Sequence, residues 1–298
     1  MSEKDSLSTD LSEMPPRVNE FRRFMRVFLG RKIVLVGLVI VVLFLITAAI
    51  APLLAPYSPN EQDLRNALSG PSREHLLGTD SFGRDSLSRI IYGSRISLMV
   101  GVIAVGIAAT AGMILGLIAG YFGGWSYVII MRIMDALMAF PMILLALLIT
   151  SVLGGGLINV MIALGISLMP GYARIMCGQV LSVRENDYVL AGRSIGSTNL
   201  RIMVRHIFPN SFQPILVLVT MMMGATILAE AGLSYLGIGV EVTTATWGGM
   251  INDGYNFLTT DPILSFAPGI AIMLVVFGFN MVGDGLRDAL DPRLRGVL

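Results

Sequence analysis

Residues 33–55 read IVLVGLVIVVLFLITAAIAPLLA, a run without one charged side chain. As a helix it reaches roughly 34 Å, enough for a hydrocarbon core of about 30 Å. It exceeds the roughly 7–15 apolar residues of a signal peptide and therefore reads as a retained span. Five more runs follow, at 97–122, 131–152, 156–182, 211–238 and 263–285. Hydrophobic residues make up 54% of the 298 and charged residues 14%, against about 25% charged in a soluble domain. Mean hydropathy is +0.75. A soluble globule could not hide that much apolar surface. The expected fold class is therefore all-α, a polytopic membrane protein of six transmembrane helices.

Basic residues orient the spans. Lys4, Arg17, Arg22, Arg23, Arg26, Arg31 and Lys32 precede the first run. With Arg132, the arginines from span four to span five (Arg174, Arg184, Arg193, Arg201 and Arg205), and Arg287, Arg293 and Arg295 of the C-terminus, sixteen Lys and Arg fall on one side. Five (Arg65, Arg73, Arg84, Arg89 and Arg95) fall in one loop on the other. The side with more is expected to be cytoplasmic, and both termini with it. The chain then divides into a cytoplasmic N-terminal part (1–32), the first span (33–55), an extracytoplasmic loop (56–96), a core of spans (97–285) containing a cytoplasmic loop at 184–210, and a C-terminal tail (286–298). Residues 1–16 read as a polar, disordered tail. In 17–32, Phe21, Phe24, Val27 and Phe28 at helical spacing among arginines predict an amphipathic helix at the membrane surface.

Several function classes find no support. The only lysines are Lys4 and Lys32, so no GxxxxGK[ST] phosphate loop exists, and HExxH and GxSxG are absent. No catalytic constellation, resident cofactor or metal site is expected; Cys177 stands alone and His75 and His206 are far apart. A net charge of +1 gives no electrostatic argument for nucleic acid.

Within the spans, Gly112, Gly116 and Gly120 form a bare stripe, suited to close packing inside one bundle or to a dimer face. Pro141, Pro170 and Pro268 predict kinks, beside a cavity or without any role in transport. Glu230 lies deep in the fifth run, whereas Arg132, Asp135, Arg174 and Asp284 read as near span ends, within reach of water. A buried carboxylate faces the bundle interior or a watery cavity. Glu230 is therefore a candidate for the translocation path or gate, with a hydrogen-bonded structural glutamate as the plainer reading.

The stretch YVLAGRSIGSTNLRIMVRHIFPN (188–210) interrupts the apolar pattern. Asp187–Ile195 predicts a helix, Gly196 a turn, Ser197 or Thr198 a cap, and Leu200–Phe208 a second helix ended by Pro209. Ala191, Gly192 and Gly196 leave little bulk, and Ile195, Leu200 and Met203 are apolar residues that a partner could cover. A solvated hairpin is the plain alternative. A DNA-binding helix-turn-helix has the same outline, but its place between two spans argues against it.

This stretch resembles the EAA loop of permease subunits of bacterial ABC importers. Leu190-Ala191-Gly192 stands where that family has EAA, Gly196 matches its glycine, and Ile207 with Pro209 its end. LLGTDSFGRDSLSRIIYGSRISL (76–98), AGYFGGW (119–125), AEAGLSYLGIG (229–239), TWGGM (246–250) and NMVGDGLRDALDPRLR (280–295) resemble the C-type permeases of dipeptide, oligopeptide and nickel importers. The resemblance implies the type I importer permease fold in a bacterial inner membrane. It implies a second homologous permease, two ATPase subunits that bind the ATP and Mg, and an extracytoplasmic substrate-binding protein. Leu190, Ala191, Gly192, Ile195, Gly196, Leu200, Ile207 and Pro209 would form the loop that couples to the ATPase. Di- or oligopeptides are the implied cargo, with nickel or a metal chelate as the alternative. A secondary transporter or channel is the alternative of another class, which predicts transport by the chain alone.

Overall fold

The computed structural model describes residues 20–238 and 243–290, with side chains from Phe24 onward. The helices are α1 (Glu20–Gly30), α2 (Lys32–Ala49), α3 (Ala51–Leu54), α4 (Ser86–Phe122), α5 (Gly124–Met138), α6 (Met142–Leu153), α7 (Leu157–Val183), α8 (Asp187–Ser194), α9 (Asn199–Ile202), α10 (Phe208–Ser211), α11 (Gln213–Tyr235), α12 (Trp247–Tyr255) and α13 (Ile263–Leu290). There is no strand among the described residues, only an isolated bridge between Thr79 and Asp85. The expected tail 1–16, Arg17 and residues 291–298 lie outside the described residues.

Among the described residues, five helices are long and apolar enough to cross a membrane: α2, α4, α7, α11 and α13. The expected third span is not one straight helix. It is the pair α5 and α6, bent by 94°. Pro141 explains the break, because it lacks an N–H and its ring excludes the carbonyl four residues earlier. The other prolines behave differently: Pro170 and Pro268 sit inside continuous helices. The first span is also shorter than expected, since the helix yields at Ile50 to the short α3.

α4 and α7 form the central pair. A Cβ on Gly112 would lie 2.6 Å from the Tyr172 Cβ, one on Gly116 2.4 Å from the Ala173 carbonyl, and one on Gly120 2.8 Å from the Val180 Cβ. The stripe thus seats α7 against α4 inside the bundle. α5 lies on the same pair through Met131 and Met134, which cluster with Ala119, Ala173 and Cys177. α2 lies against α13, where Gly37 meets Met281 and Gly278 meets Val41. α1 reaches the end of α13: Phe28 lies near Gly285, and Arg31 pairs with Asp288. Exposed Val36, Val39, Leu43, Ile129, Leu144 and Leu148 are what a lipid-bathed exterior requires.

Candidate functional site

The stretch between α7 and α11 is the hairpin expected from sequence. α8 ends in a Schellman turn: the Gly196 N–H donates to the Arg193 carbonyl (3.0 Å) and the Ser197 N–H to the Gly192 carbonyl (3.1 Å). Gly196 takes φ +78°, the left-handed conformation that glycine adopts without penalty. The Thr198 hydroxyl caps α9 by accepting from the Arg201 N–H. Pro209 does not end the second arm as expected. Met203–Ile207 widens into a π-helical turn, closed by the Phe208 N–H on the Met203 carbonyl, and α10 continues to Ser211 with Pro209 in its first turn. The wider turn moves aside the carbonyl that the proline ring would otherwise strike.

The hairpin divides its candidate residues into two sets. Ile207 and Gly192 are buried, with Val189 and Ile202, and hold the hairpin on the bundle. Leu190, Ala191, Gly196 and Pro209 are exposed, and Ile195 and Leu200 are 82% and 67% exposed. A Cβ on Gly196 would meet nothing within 4 Å, so the surface there is open as well as apolar. Two anchors had no role assigned from sequence. The Tyr121 hydroxyl, at the end of α4, donates to Asn199 Oδ1 (2.7 Å), and the Arg193 guanidinium lies 5.2 Å above the Tyr121 ring. Arg184 donates to the Gly120 carbonyl (2.9 Å). The segment AGYFGGW contained the signal, since a tyrosine at the end of a span and beside a glycine turn can reach past the helix.

Glu230 lies at the other end of the bundle and is fully buried. Its Oε1 accepts from the Ser234 hydroxyl (2.7 Å) and its Oε2 from the Ser97 hydroxyl (3.3 Å), joining α11 to α4. α12 packs over this place. A Cβ on Gly248 would lie 2.1 Å from the Ala231 carbonyl, and the Trp247 indole N–H donates to the Ile90 carbonyl (3.0 Å). Of the two settings expected for Glu230, the structure shows the bundle interior.

The loop 56–85 hides a cluster that the sequence reading missed. Arg84 and Arg89, counted above as loop charges, are each 2% exposed. Arg84 Nε meets Asp80 Oδ2 at 2.6 Å and its Nη2 meets Asp253 Oδ2 at 3.3 Å; Arg89 donates to the Pro59 carbonyl at 3.2 Å. Burial pushes the Asp253 carboxyl above its usual range, against the opposing pull of Arg84 and Arg89. Asp85 accepts from the Ser88 N–H (2.8 Å), capping α4, and from His75 Nδ1 (2.9 Å). That cap explains why α4 begins at Ser86 rather than near 97. Spacing alone could suggest Asp80–Arg84 as a helical pair, but not Asp253, which lies 169 residues from Arg84.

Comparisons with known proteins agree on one family. The family model described as binding-protein-dependent transport system inner membrane component matches residues 112–296, and that of the N-terminal transmembrane domain of oligopeptide transport permease C matches 19–71. The dipeptide transport system permease protein of Alkalihalophilus pseudofirmus is 45% identical over 278 residues, 93% of this chain and 91% of the relative. The glutathione transport system permease protein of Pectobacterium atrosepticum is 41% identical over 276 residues, 92% of each chain. Among solved structures, a chain of the MetNI methionine ABC transporter in inward-facing conformations superposes with a TM-score of 0.56 at 16% identity, over 68% of this chain and 97% of that one. That likeness establishes the type I importer fold. The family models and the relatives carry the rest: the chain belongs to the binding-protein-dependent transport system inner membrane components, the multi-pass permease subunits of ABC importers.

Proposed function

We propose that this chain forms half of the translocation path of an ATP-driven importer of di- or oligopeptides, and that the hairpin 187–211 is where it meets its ATPase. The observation that carries the docking site is the open apolar surface of Leu190, Ile195 and Leu200 around Ala191 and Gly196, on a hairpin anchored through Ile207 and Tyr121. Exposed apolar side chains beside small residues suit a protein partner more than water. The peptide cargo rests on the dipeptide and glutathione permeases among its relatives. A second, homologous permease completes the path. Two ATPase subunits bind ATP and Mg, and a substrate-binding protein delivers cargo from outside. The excess of Lys and Arg supports a cytoplasmic side for the hairpin and both termini, and the permease relatives support a bacterial inner membrane as the site. Movement of the ATPases acts on the hairpin as a two-state element, and α4 and α7 carry the motion inward. Glu230, behind α12 at the far end, belongs to the gate.

Co-purification of the ATPase with the permease, normalised to membrane level, tests the docking site. Ala191→Arg adds bulk and charge to the open surface, leaving the spans untouched. It is expected to insert normally, to lose ATPase association and to abolish uptake of a labelled dipeptide, with Arg65→Ala as the neutral control. If Ala191→Arg retains its ATPase and its uptake, the hairpin is not the coupling site.

A further inference from the structure

Asp135 and Arg174 read as separate span-end charges in the sequence, and the structure brings them together between α5 and α7. Asp135 lies about one turn before the end of α5 at the Pro141 elbow, and Arg174 lies inside α7, about 14 Å from its end at 1.5 Å per residue. Arg174 Nη2 meets Asp135 Oδ1 at 2.6 Å, and the two side chains are 53% and 52% exposed. An ion pair between two apolar helices, open on one side, is costly against hydrocarbon and belongs where water or polar groups reach it. Its face of the bundle has the corresponding shape. One turn away along both helices, a cavity of about 280 Å³ opens at the α5–α6 elbow, lined by Met138, Ser167, Gly171 and Leu218. Further along α7 and α11, a second cavity of about 530 Å³ is lined by Gln179, Asn210, Gln213 and Arg287. Gly171, Ile175 and Gln179 follow each other at four-residue spacing and join the two cavities along one face of α7. A Cβ on Gly171 or on Gly178 would meet nothing within 4 Å, unlike those of the packed stripe on α4. These positions are small without being packed.

We propose that this cleft between α7 and α11 is the chain's own wall of the translocation path on the hairpin side, and that the Arg174–Asp135 pair at its edge receives the charged groups of a passing peptide. The inference rests on the permease reading above. A peptide carries an ammonium and a carboxylate, and a half-open pair of opposite charges offers each a partner without leaving a lone charge in the membrane. The pair's water-facing side and the amides of Gln179, Asn210 and Gln213 supply the polar surface that such a cargo needs once it leaves bulk water.

The assembled importer, in inside-out membrane vesicles and with Cys177→Ala as background, provides the test. Gly171→Cys and Gln179→Cys are expected to react with a charged, membrane-impermeant methanethiosulfonate, whereas Val39→Cys, on the exposed apolar face of α2, is not. If both cleft positions are as unreactive as Val39→Cys, lipid or the second permease fills the cleft and the proposal is overturned. Uptake of alanyl-glutamate and alanyl-lysine gives the second readout. Arg174→Gln is expected to lower uptake of the acidic dipeptide about fivefold more than that of the basic one, and Asp135→Asn to bias uptake the other way. Equal loss for both peptides makes the pair a strut between α5 and α7 and also overturns the proposal. These variants are expected to retain their ATPase. Absence of dipeptide uptake by the unmodified importer would instead count against the peptide reading itself.

Discussion

The loop 56–85 buries Arg84 and Arg89 to 2% exposure and meets them with Asp80 and Asp253, while the hairpin 187–211 leaves Ile195 and Leu200 more than 60% exposed. Both segments connect helices at the ends of one bundle, and both contain several charges. The first finishes its electrostatics within the chain and ties itself to α12. The second finishes only its anchoring core, Val189, Ile202 and Ile207, and leaves an apolar surface unfinished. The difference accords with the proposal that the hairpin is the end that meets a partner. The other end is held by charge pairing within the chain.

Breaking the charge cluster should have the largest effect. Arg84→Ala takes the shared guanidinium from buried Asp80 and half-buried Asp253, leaving Asp80 only the longer contact to Arg89, and removing one partner of a buried pair costs roughly 3–5 kcal/mol. The expected outcome is a large fall in thermal midpoint for the detergent-purified protein, beside little change for Arg193→Ala, whose charge lies on the exposed hairpin. Equal tolerance of the two substitutions would remove the contrast between the ends. Gly196→Val comes next. At φ +78° a β-branched residue is strained by about 1–3 kcal/mol, enough to distort the Schellman turn and weaken ATPase association at unchanged membrane level. Wild-type association would mean that the turn can be rebuilt without glycine.

Much of this contrast was legible in the residues. Apolar runs located the spans, because lipid demands long runs with internally satisfied backbones. The hairpin, its glycine turn and a cap at Ser197 or Thr198 followed from local rules that depend on neighbours in sequence. What stayed hidden was set by long-range contact. Nothing near Arg84 announces Asp253, and the pairing of Arg174 with Asp135 depends on how far α5 runs before Pro141. The α5–α6 bend was readable as a kink but not as a right-angle elbow, since its size depends on what each half packs against. The π-helical turn before Pro209 was missed for a related reason: a proline normally ends a helix, and here the chain widened instead.

Glu230→Gln sharpens the comparison from the end covered by α12. The amide keeps the shape, and both serine hydroxyls retain an oxygen or nitrogen neighbour, so stability is expected to shift by no more than about 1–2 kcal/mol. If Glu230 belongs to the gate, uptake and its coupling to ATP hydrolysis change while co-purification of the ATPase does not. Wild-type uptake with wild-type coupling would reduce the residue to a hydrogen-bonded strut between α4 and α11.

The smallest expected change lies at the junction between hairpin and bundle. Tyr121 ends the central helix α4 and reaches the hairpin in two ways, through its hydroxyl on Asn199 and its ring beneath Arg193. Tyr121→Phe removes the first and keeps the second. One hydrogen bond contributes about 0.5–1.5 kcal/mol, so folding and membrane level should barely move. The hydroxyl matters more if it links the hairpin's position to α4, because then its loss loosens the hairpin relative to the span without unfolding either. The expected result is retained ATPase association with a lower ratio of peptide imported to ATP hydrolysed, measured together in proteoliposomes of the complete importer. Arg193→Ala, which removes only the ring contact, should lower the same ratio by a similar small amount. If both variants import and hydrolyse in the wild-type ratio, the motion reaches the bundle by another route, through Arg184 on the Gly120 carbonyl or through the packed side chains of Ile202 and Ile207.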